Sequence, residues 1–220
     1  DTLTMGDADS GSTGELTAQV NMDGGTLKAA TIQPGDTAGT GAAVREINIG
    51  SGTLTHKTGS DLTIAPEIDI NVSGTAADSS IQADAGRTIT LNSAVTGTGG
   101  FAKTGDGTLD LTGASTYSGG TTVSAGTLRV SGSVTNNVTV DGGILDGAGS
   151  TGNVTVISGG TVAPGTSIGD LTVGDAAFTD GTLTIELGPG TTSNTLNVNG
   201  NLDLTSGSDV LWIALLDGSA

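Results

Sequence analysis

The sequence predicts an all-β protein, folded as a parallel β-solenoid of roughly ten or more coils. Gly accounts for 39 of the 220 residues, and the β-branched residues Val, Ile and Thr together number 66. Short runs that alternate between apolar and polar residues recur along most of the chain. Glu, Lys, Arg, Gln and Met, which usually build surface helices, number only 15 in total. This composition disfavours a helical bundle and gives little support to an α/β fold.

Short strands joined by tight turns are the first element of this prediction. Alternation with a period of two indicates half-buried strands, and the Gly, Asn and Asp residues between the runs indicate turns. The clearest runs are Leu54-Thr55, Ile68–Val72, Ile89–Leu91, Leu109–Leu111, Leu128–Val130, Val138–Val140, Val154–Val156, Leu171–Val173 and Leu183–Ile185.

The spacing of these runs predicts the solenoid. Asn137–Val140 recurs as Asn153–Val156 sixteen residues later, and a third copy, Asp170–Val173, follows after seventeen more. Between the copies lies a second strand opened by a Gly pair, first at Gly142–Leu145 and then at Gly159–Val162. A unit of 17 to 20 residues with two or three short strands is typical of one coil, which buries its apolar side by stacking on its neighbours.

We expect three regions along one continuous solenoid. Residues 1–96 form coils with irregular turns, as at Pro34–Gly41; residues 97–173 form the most regular coils; residues 174–220 form the C-terminal coils. Stacked ~4.8 Å apart, ten to twelve such coils make a rod of about 50 Å.

Charge and hydropathy exclude several classes of partner. The net charge of −17, from 23 acidic and 6 basic residues, gives no electrostatic support for binding nucleic acid or an anionic membrane surface. The longest apolar run, Val210–Leu216, is far shorter than the ~20 residues needed to span a bilayer, so no membrane insertion is expected. No signal peptide opens the chain, and its end lies close to this run, so we expect an excised or mature piece of a longer protein.

Candidate catalytic and metal-binding residues are few. Gly165–Gly169 fits the Gly-x-Ser-x-Gly pattern of a nucleophile elbow, but that elbow needs a strand-to-helix turn and a His that follows the Ser. The chain's one His, His56, precedes Ser167, so we interpret the segment as a turn between coils. His56 is expected at an outward strand position. Without Cys or a second His, no transition-metal site and no cofactor are expected.

The sequence also gives little support for a hydrolase site, an ice-binding surface or a calcium site. The Asp pairs are expected in turns or at outward strand positions rather than across a cleft, so we predict no enzyme. Thr-x-Thr segments resemble ice-binding solenoids but are irregularly spaced, and Gly105–Asp110 lacks the nine-residue repeat of a calcium-binding β-roll. The Thr-x-Thr segments begin at Thr2, Thr53, Thr88, Thr96 and Thr182.

Residues 97–130 resemble the passenger-associated transport repeat of bacterial autotransporters, whose pattern runs roughly K-T-G-x-G-T-L-x-L-T-G-x-N-T-Y-x-G-G-T-T-V-x-x-G-T-L-x-V. The match is nearly complete, and the clear departure is Ser115, where the family usually has Asn. The residues that carry the repeat are Lys103, Gly105, Gly107, Leu109, Leu111, Gly113, Tyr117, Gly119, Gly120, Val123, Gly126, Leu128 and Val130. Gly160–Val173 resembles the segment near the end of passengers, and the strands after it resemble their autochaperone region.

This resemblance implies a right-handed β-helix on the surface of a Gram-negative bacterium or secreted from it. It also implies a C-terminal translocator β-barrel as partner, which these residues do not include, and it leaves the host-surface or neighbouring-cell ligand unidentified. We therefore predict a non-enzymatic stalk and adhesin scaffold whose C-terminal coils assist folding, with Leu211, Trp212 and Ile213 as the folding core. The alternative is a free-standing secreted solenoid that binds a glycan, ice or a partner protein, or that assembles into filaments.

Overall fold

The computed structural model describes residues 2–5, 16–35, 43–188 and 192–215, and every regular element in these ranges is a β-strand. No helix long and apolar enough to cross a membrane occurs in this part of the chain. In the first hundred residues the strands are β1 (Thr2–Met5), β2 (Leu16–Ala29), β3 (Thr31–Pro34), β4 (Ala43–His56), β5 (Leu62–Ile64), β6 (Asp69–Val72), β7 (Ser79–Gln82), β8 (Thr88–Leu91) and β9 (Val95–Thr96).

The second half of the described chain also consists of short strands, each two to six residues long. From residue 101 to 164 these are β10 (Phe101–Thr104), β11 (Thr108–Leu111), β12 (Ala114–Ser115), β13 (Thr121–Val123), β14 (Thr127–Val130), β15 (Ser133–Val134), β16 (Val138–Asp141), β17 (Ile144–Gly147), β18 (Ser150–Thr151), β19 (Val154–Ile157) and β20 (Thr161–Pro164). They are followed by β21 (Asp170–Val173), β22 (Ala176–Thr179), β23 (Thr182–Leu187), β24 (Thr195–Val198), β25 (Leu202–Ser206) and β26 (Val210–Leu215).

The strands form three parallel sheets, which we name faces A, B and C. Face A is a ten-stranded sheet in the order β1-β3-β5-β8-β11-β14-β17-β20-β23-β26. Face B runs β25-β22-β19-β16-β13-β10-β7-β4, with β2 on the far side of β4, and face C runs β12-β15-β18-β21-β24. The chain visits the faces in the order C, B, A, so one circuit is one coil. The predicted all-β parallel solenoid is confirmed.

The two long strands β2 and β4 turn the corner between faces C and B. The first part of β4 pairs with β6 through Glu46–Ile49, whereas its second part pairs with β7 through Gly52–Thr55. Strand β6 pairs in turn with β9, and the Thr116 amide next to β12 donates to the Val95 carbonyl of β9 at 2.8 Å. Face C therefore extends into the first coils, where the long strands β2 and β4 each contribute to both face C and face B.

The stacking register confirms most of the predicted repeat. Val138–Val140 lies beside Val154–Val156 on face B, and Leu145 lies beside Val162 on face A. The prediction that Asp170–Val173 is a third copy of the same strand is wrong. This segment forms β21 on face C, and the strand that stacks on Val154 is β22, from Ala176. The alternation of a strand does not encode its face, because all three faces bury every second residue.

The core is a set of ladders that run along the solenoid axis. On face A, one inward position is filled in successive coils by Leu62, Ile89, Leu109, Leu128, Leu145 and Val162, each at most 1% exposed. Burying one such side chain stabilises the fold by about 1.5–3 kcal/mol. Because each ladder step joins neighbouring coils, these contacts make the stability of a coil depend on the coils beside it.

Two sequence-based predictions fall partly outside the described residues: the turn at Pro34–Gly41, beyond Gly35, and Leu216 of the apolar run. The division into residues 1–96, 97–173 and 174–220 stays a prediction.

Candidate functional site: the central coils

Residues 97–136 form two successive coils, which we call the central coils, and they contain every residue of the predicted repeat motif. Its apolar members point inward: Leu109, Leu111, Val123, Leu128 and Val130 are at most 1% exposed. Leu109 stacks on Leu128 and Leu111 stacks on Val130. The aliphatic part of the motif is therefore core packing, and its polar and Gly residues need separate explanations.

Lys103 is fully buried although it is charged. It lies at an inward position of β10, and its Nζ donates to three backbone carbonyls: Thr104 O at 2.8 Å, Gly105 O at 2.6 Å and Ala125 O at 3.1 Å. An ammonium group has three N–H donors, so all of them are used. Two acceptors belong to the turn of its own coil and the third to the turn of the next coil, so Lys103 clamps the two turns together.

Burial lowers the pKa of Lys103 to about 8, and the nearby Asp106 carboxylate partly opposes this shift. The cause is desolvation, which disfavours the charged form of a group inside the protein. The ammonium is thus costly to bury, and its three charge-assisted hydrogen bonds offset that cost.

Tyr117 fills the interior where faces C and B meet. Its ring centroid lies 5.3 Å from that of Phe101 at an interplanar angle of 39°, and the residue is fully buried. Its hydroxyl hydrogen-bonds the hydroxyl of Thr121, four residues later in the same coil. Asn136, in the next coil, donates from Nδ2 to the Tyr117 carbonyl at 2.9 Å. Burial raises the pKa of Tyr117, so the phenol stays protonated at physiological pH.

Loss of this hydroxyl contact should destabilise the central coils. Tyr117→Phe leaves the buried Thr121 hydroxyl without its Tyr partner, and we expect the free energy of unfolding to fall by about 1–2 kcal/mol. Urea denaturation of the wild type, Tyr117→Phe, Thr121→Val and the double variant measures this contribution. A coupling energy near zero in that cycle would show that the contact adds nothing.

Most Gly residues of the motif occupy corners where coils approach each other too closely for a side chain. Gly105 and Gly126 stack in successive turns with positive φ angles of 70° and 61°. At Gly119, a Cβ atom would lie 2.3 Å from the backbone carbon of Gly99 and 2.5 Å from the Gly100 nitrogen. A Cβ at Gly107 or Gly113 would lie 2.2 or 2.6 Å from backbone atoms of the preceding coil.

Gly120 differs from its neighbour Gly119. The nearest atom to a Cβ built at Gly120 is the Asn137 carbonyl oxygen at 3.6 Å, an ordinary van der Waals distance. A groove of about 360 Å³ runs along this corner and is lined only by Gly, Ser, Thr, Ala and Asn residues. The groove therefore offers no charged group for acid–base chemistry.

Ser115, the departure from the family pattern, is accommodated within the fold. Its side chain is buried, and its hydroxyl accepts a hydrogen bond at 3.1 Å from the Val95 amide in the preceding coil. A short polar side chain at this position therefore still links two coils, as the Asp and Asn side chains do at other corners.

An ion pair on the outward side of face A was not anticipated from the sequence. Arg129 donates to both carboxylate oxygens of Asp146, from Nε at 3.0 Å and from Nη2 at 2.7 Å. Burial raises the pKa of Asp146, and the Arg129 hydrogen bonds oppose that rise. The sequence feature that could have revealed this ion pair is the 17-residue spacing of Arg129 and Asp146. That spacing equals one coil and places the two residues side by side in β14 and β17.

The predicted outward position of His56 is wrong. His56 is 3% exposed at the end of β4, where its Nδ1 lies 2.9 Å from the Lys57 carbonyl and its Nε2 accepts the Asp84 amide at 3.0 Å. This geometry fits the neutral ring with its proton on Nδ1. Hydrogen bonds to these two backbone groups replace those that the imidazole would make with water, so the side chain can be buried.

The Gly-x-Ser-x-Gly segment is a bend between β20 and β21. The Gly165 amide donates to the Gly147 carbonyl at 2.7 Å, and the Gly169 amide donates to Asn194 Oδ1 at 3.1 Å. Ser167 follows β20, in the coil whose face B strand is β19. On face B, five strand steps separate β19 from β4, which carries His56, and these steps amount to roughly 24 Å along the axis. His56 is therefore not positioned to activate Ser167.

The remaining ligand hypotheses find no assembled site in the described part of the chain. No group of three or more His, Cys, Asp or Glu side chains is placed to hold a metal ion there. The Thr-x-Thr segment from Thr53 lies on face B, whereas those from Thr88 and Thr182 lie on face A, where four other coils separate them. These segments do not form a continuous Thr-x-Thr array.

The predicted folding core, Leu211, Trp212 and Ile213, lies on β26, the last strand of face A. Leu211 stacks on Leu183 and Ile213 on Ile185, so both continue inward ladders. The exposed fractions are 63% for Leu211, 62% for Trp212 and 55% for Ile213. Among the described residues no strand covers the outer edge of β26, which explains this exposure. Their role in folding stays a prediction.

Comparison with known proteins shows a family-model match within the central coils. Residues 101–130 match the family model described as Passenger-associated-transport-repeat. The resemblance found in the sequence is confirmed. The transport repeat thus begins at β10 and ends at β14, and it includes the Lys103 clamp and the Phe101–Tyr117 pair.

A curated relative points the same way. The adhesin BmaC autotransporter of Brucella suis biovar 1 (strain 1330) is 54% identical to this chain over 46 residues, which cover 21% of this chain. The matched segment spans 1% of the length of that adhesin. Together with the transport repeat, this match supports an autotransporter passenger region.

Proposed function

We propose that this chain is a structural stalk in an autotransporter passenger, displayed on the surface of a Gram-negative bacterium or released from it. The observation that carries the proposal is the continuity of face A, whose ten parallel strands run from β1 to β26 through the transport repeat. A stack of coils that share three sheets is a stiff spacer, well suited to holding an adhesive region away from the cell. The translocator of the full protein is its expected membrane partner, and no catalytic role is proposed.

We further propose that the C-terminal coils fold first and act as a template for the coils before them. In a solenoid each coil contacts only its neighbours, so a folded terminal coil removes the cost of nucleating the next one. Strand β26 is suited to such a start because it pairs with β23 over six residues, the longest face A pairing among the described strands.

The template proposal predicts a kinetic effect for Trp212→Asp. We expect refolding from urea to slow by about threefold, because a charge on β26 weakens the first strand pairing. The equilibrium stability should fall by less than about 1 kcal/mol, since Trp212 is already 62% exposed. Stopped-flow far-UV circular dichroism at low protein concentration measures the rate, and surface display of the full protein should decrease in parallel.

Trp212→Phe is the matched control, because it keeps an apolar aromatic side chain and should refold at the wild-type rate. An unchanged refolding rate in Trp212→Asp would contradict the template role and leave the stalk proposal standing. The stalk proposal fails separately if the full protein still reaches its normal display height and adhesion after coils within residues 97–173 are deleted.

A further inference from the structure

The sequence contains three copies of the Asn-x-Ser/Thr pattern that accepts N-linked sugars, and the structure distinguishes them. They begin at Asn71, Asn137 and Asn153. Asn137 and Asn153 open the identical tetrapeptide Asn-Val-Thr-Val, so the local sequence does not separate these two. Each of them lies directly before a face B strand, β16 or β19, and both are exposed. Any difference between them is therefore set by the neighbouring coils.

The amide group of Asn137 is free and has open space beside it. Within the described ranges its side chain makes no hydrogen bond. Asn137 lines the groove of about 360 Å³ at the corner of the central coils, and so does Thr139, the third residue of the pattern. The neighbour of Asn137 in the preceding coil is Gly120, which has no side chain. A groove of this volume lies within the range of small-molecule sites, so it can hold a hexose.

Asn153, in contrast, is held by the next coil. Its Oδ1 accepts the Asp175 amide at 2.9 Å. The side chain also packs against the corner at Gly174, where an added Cβ would lie 2.4 Å from Oδ1. Both neighbours of Asn153 along this corner, Asn137 and Asp175, carry side chains, whereas Asn137 has Gly120 on one side. A sugar on Asn153 would therefore displace existing contacts between coils.

Asn71 is engaged in a similar way. It is half-buried on the outward side of β6, and its Nδ2, the atom that would carry a sugar, donates to Glu46 Oε1 at 3.3 Å. An added Cβ at Gly97, in the next coil, would lie 2.6 Å from Asn71 Oδ1. The amide groups of Asn71 and Asn153 thus already link neighbouring coils, and Asn137 is the acceptor that can be modified without losing such a link.

We propose that Asn137 carries an N-linked sugar that lies in this groove, and that Asn71 and Asn153 carry none. In the reaction, Asn137 Nδ2 forms a bond to the anomeric carbon of a nucleotide-activated hexose. The bond from that carbon to the diphosphate breaks, the nucleoside diphosphate leaves with the bonding electrons, and one amide proton passes to a base of the transferase. The groove is lined by uncharged Gly, Ser, Thr, Ala and Asn residues, whose hydroxyl, amide and backbone groups can hydrogen-bond sugar hydroxyls.

Two variants that each keep one of the identical tetrapeptides as acceptor test the proposal. Ser73→Ala with Thr155→Val leaves Asn137 as the acceptor, and Ser73→Ala with Thr139→Val leaves Asn153. Each is produced with and without a soluble bacterial N-glycosyltransferase that uses UDP-glucose, and intact mass identifies the glucose-bearing form. Urea denaturation then compares the two forms of each variant. Glucose on Asn137 should leave the urea midpoint within about 0.2 M, whereas glucose on Asn153 should lower it by at least about 0.5 M.

Filling the groove provides a second test. Gly120→Gln, added to the variant that keeps Asn137, places a side chain beside Asn137 without creating a new acceptor pattern, and far-UV circular dichroism of the bare form shows whether it folds. Glucose on Asn137 should then lower the urea midpoint by at least about 0.5 M.

The natural modification state completes the test. Peptide mapping of the protein purified from the bacterium that makes it should find a hexose on Asn137. The proposal is overturned by a bare Asn137 in that protein, by a midpoint loss at Asn137 equal to or larger than that at Asn153, or by a sugar effect that Gly120→Gln does not change. Failure of the transferase to modify Asn137 while it modifies Asn153 also overturns it.

Discussion

Gly119→Ala should lower the free energy of unfolding by about 3–5 kcal/mol. The added methyl group would lie 2.3 Å from the backbone carbon of Gly99 and 2.5 Å from the Gly100 nitrogen, so no side-chain rotation relieves the clash. The coils must separate at this corner, which strains the hydrogen bond from the Gly119 amide to the Gly99 carbonyl, now 2.9 Å long. Overpacking against backbone falls at the upper end of single-substitution effects.

Gly120→Ala provides a control within the same Gly pair. A methyl group there meets nothing closer than 3.6 Å, and the φ angle of Gly120 does not lie in the left-handed region. We expect a change of less than about 0.5 kcal/mol, because a small backbone-entropy gain offsets minor adjustments. Urea denaturation of both variants measures the difference. Similar losses at both positions would mean that the pair is needed for flexibility rather than for close approach.

Lys103→Met should destabilise the fold by about 2–4 kcal/mol at pH 7. Met keeps the length and the apolar stem of the side chain but removes the Lys103 ammonium donor from Gly105 O and Ala125 O. It also removes one of two donors from Thr104 O, which still accepts the Ala83 amide at 3.1 Å. Relief from burying a charge opposes this loss, so the net effect is smaller than the sum of three broken hydrogen bonds.

The pH dependence of that difference gives a sharper test. The folded-state pKa of about 8 lies below the ordinary value of 10.5, so between these values the unfolded chain holds the proton more often than the folded protein. The contribution of Lys103 to stability therefore rises with pH in this window, by up to about 1.4 kcal/mol per pH unit.

Urea denaturation of the wild type and Lys103→Met at pH 7, 8, 9 and 10 measures this change, and the stability gap should widen from pH 8 to pH 10. Tyr117, whose pKa is raised by burial, is present in both proteins, so its titration cancels in the difference. A gap that stays constant or narrows would show that Lys103 is not desolvated in the folded state.

Much of the fold could be predicted because repetition is a local property of the sequence. The spacing of Val138–Val140 and Val154–Val156 equals one coil, and the structure places these strands side by side on face B. The Gly-pair strands behave in the same way on face A. The face of Asp170–Val173 could not be predicted, because the bend at Gly165–Gly169 carries the chain from face A to face C without changing the alternation.

The site was predicted as a motif but not as a set of interactions. The transport repeat identifies Lys103, Tyr117 and the Gly positions, yet nothing in their order shows that Lys103 points inward to three carbonyls or that Gly119 is crowded while Gly120 is free. His56 shows the same limit. A polar residue on a strand is expected to face water, and only the positions of the Lys57 and Asp84 backbone groups allow it to be buried.

By itself, the sequence determined that this protein is an all-β solenoid that contains a passenger transport repeat. Alternating apolar residues and Gly-rich turns are local patterns, and both can be recognised in the order of the residues. Only the tertiary structure decided which residues become neighbours across coils: the Arg129–Asp146 ion pair, the Lys103 clamp and the hydrogen bond from the Val95 amide to the Ser115 hydroxyl. These features arise where segments 17 to 22 residues apart stack at ~4.8 Å. Their chemistry depends on the register between coils, and register is a property of the assembled solenoid rather than of any single repeat.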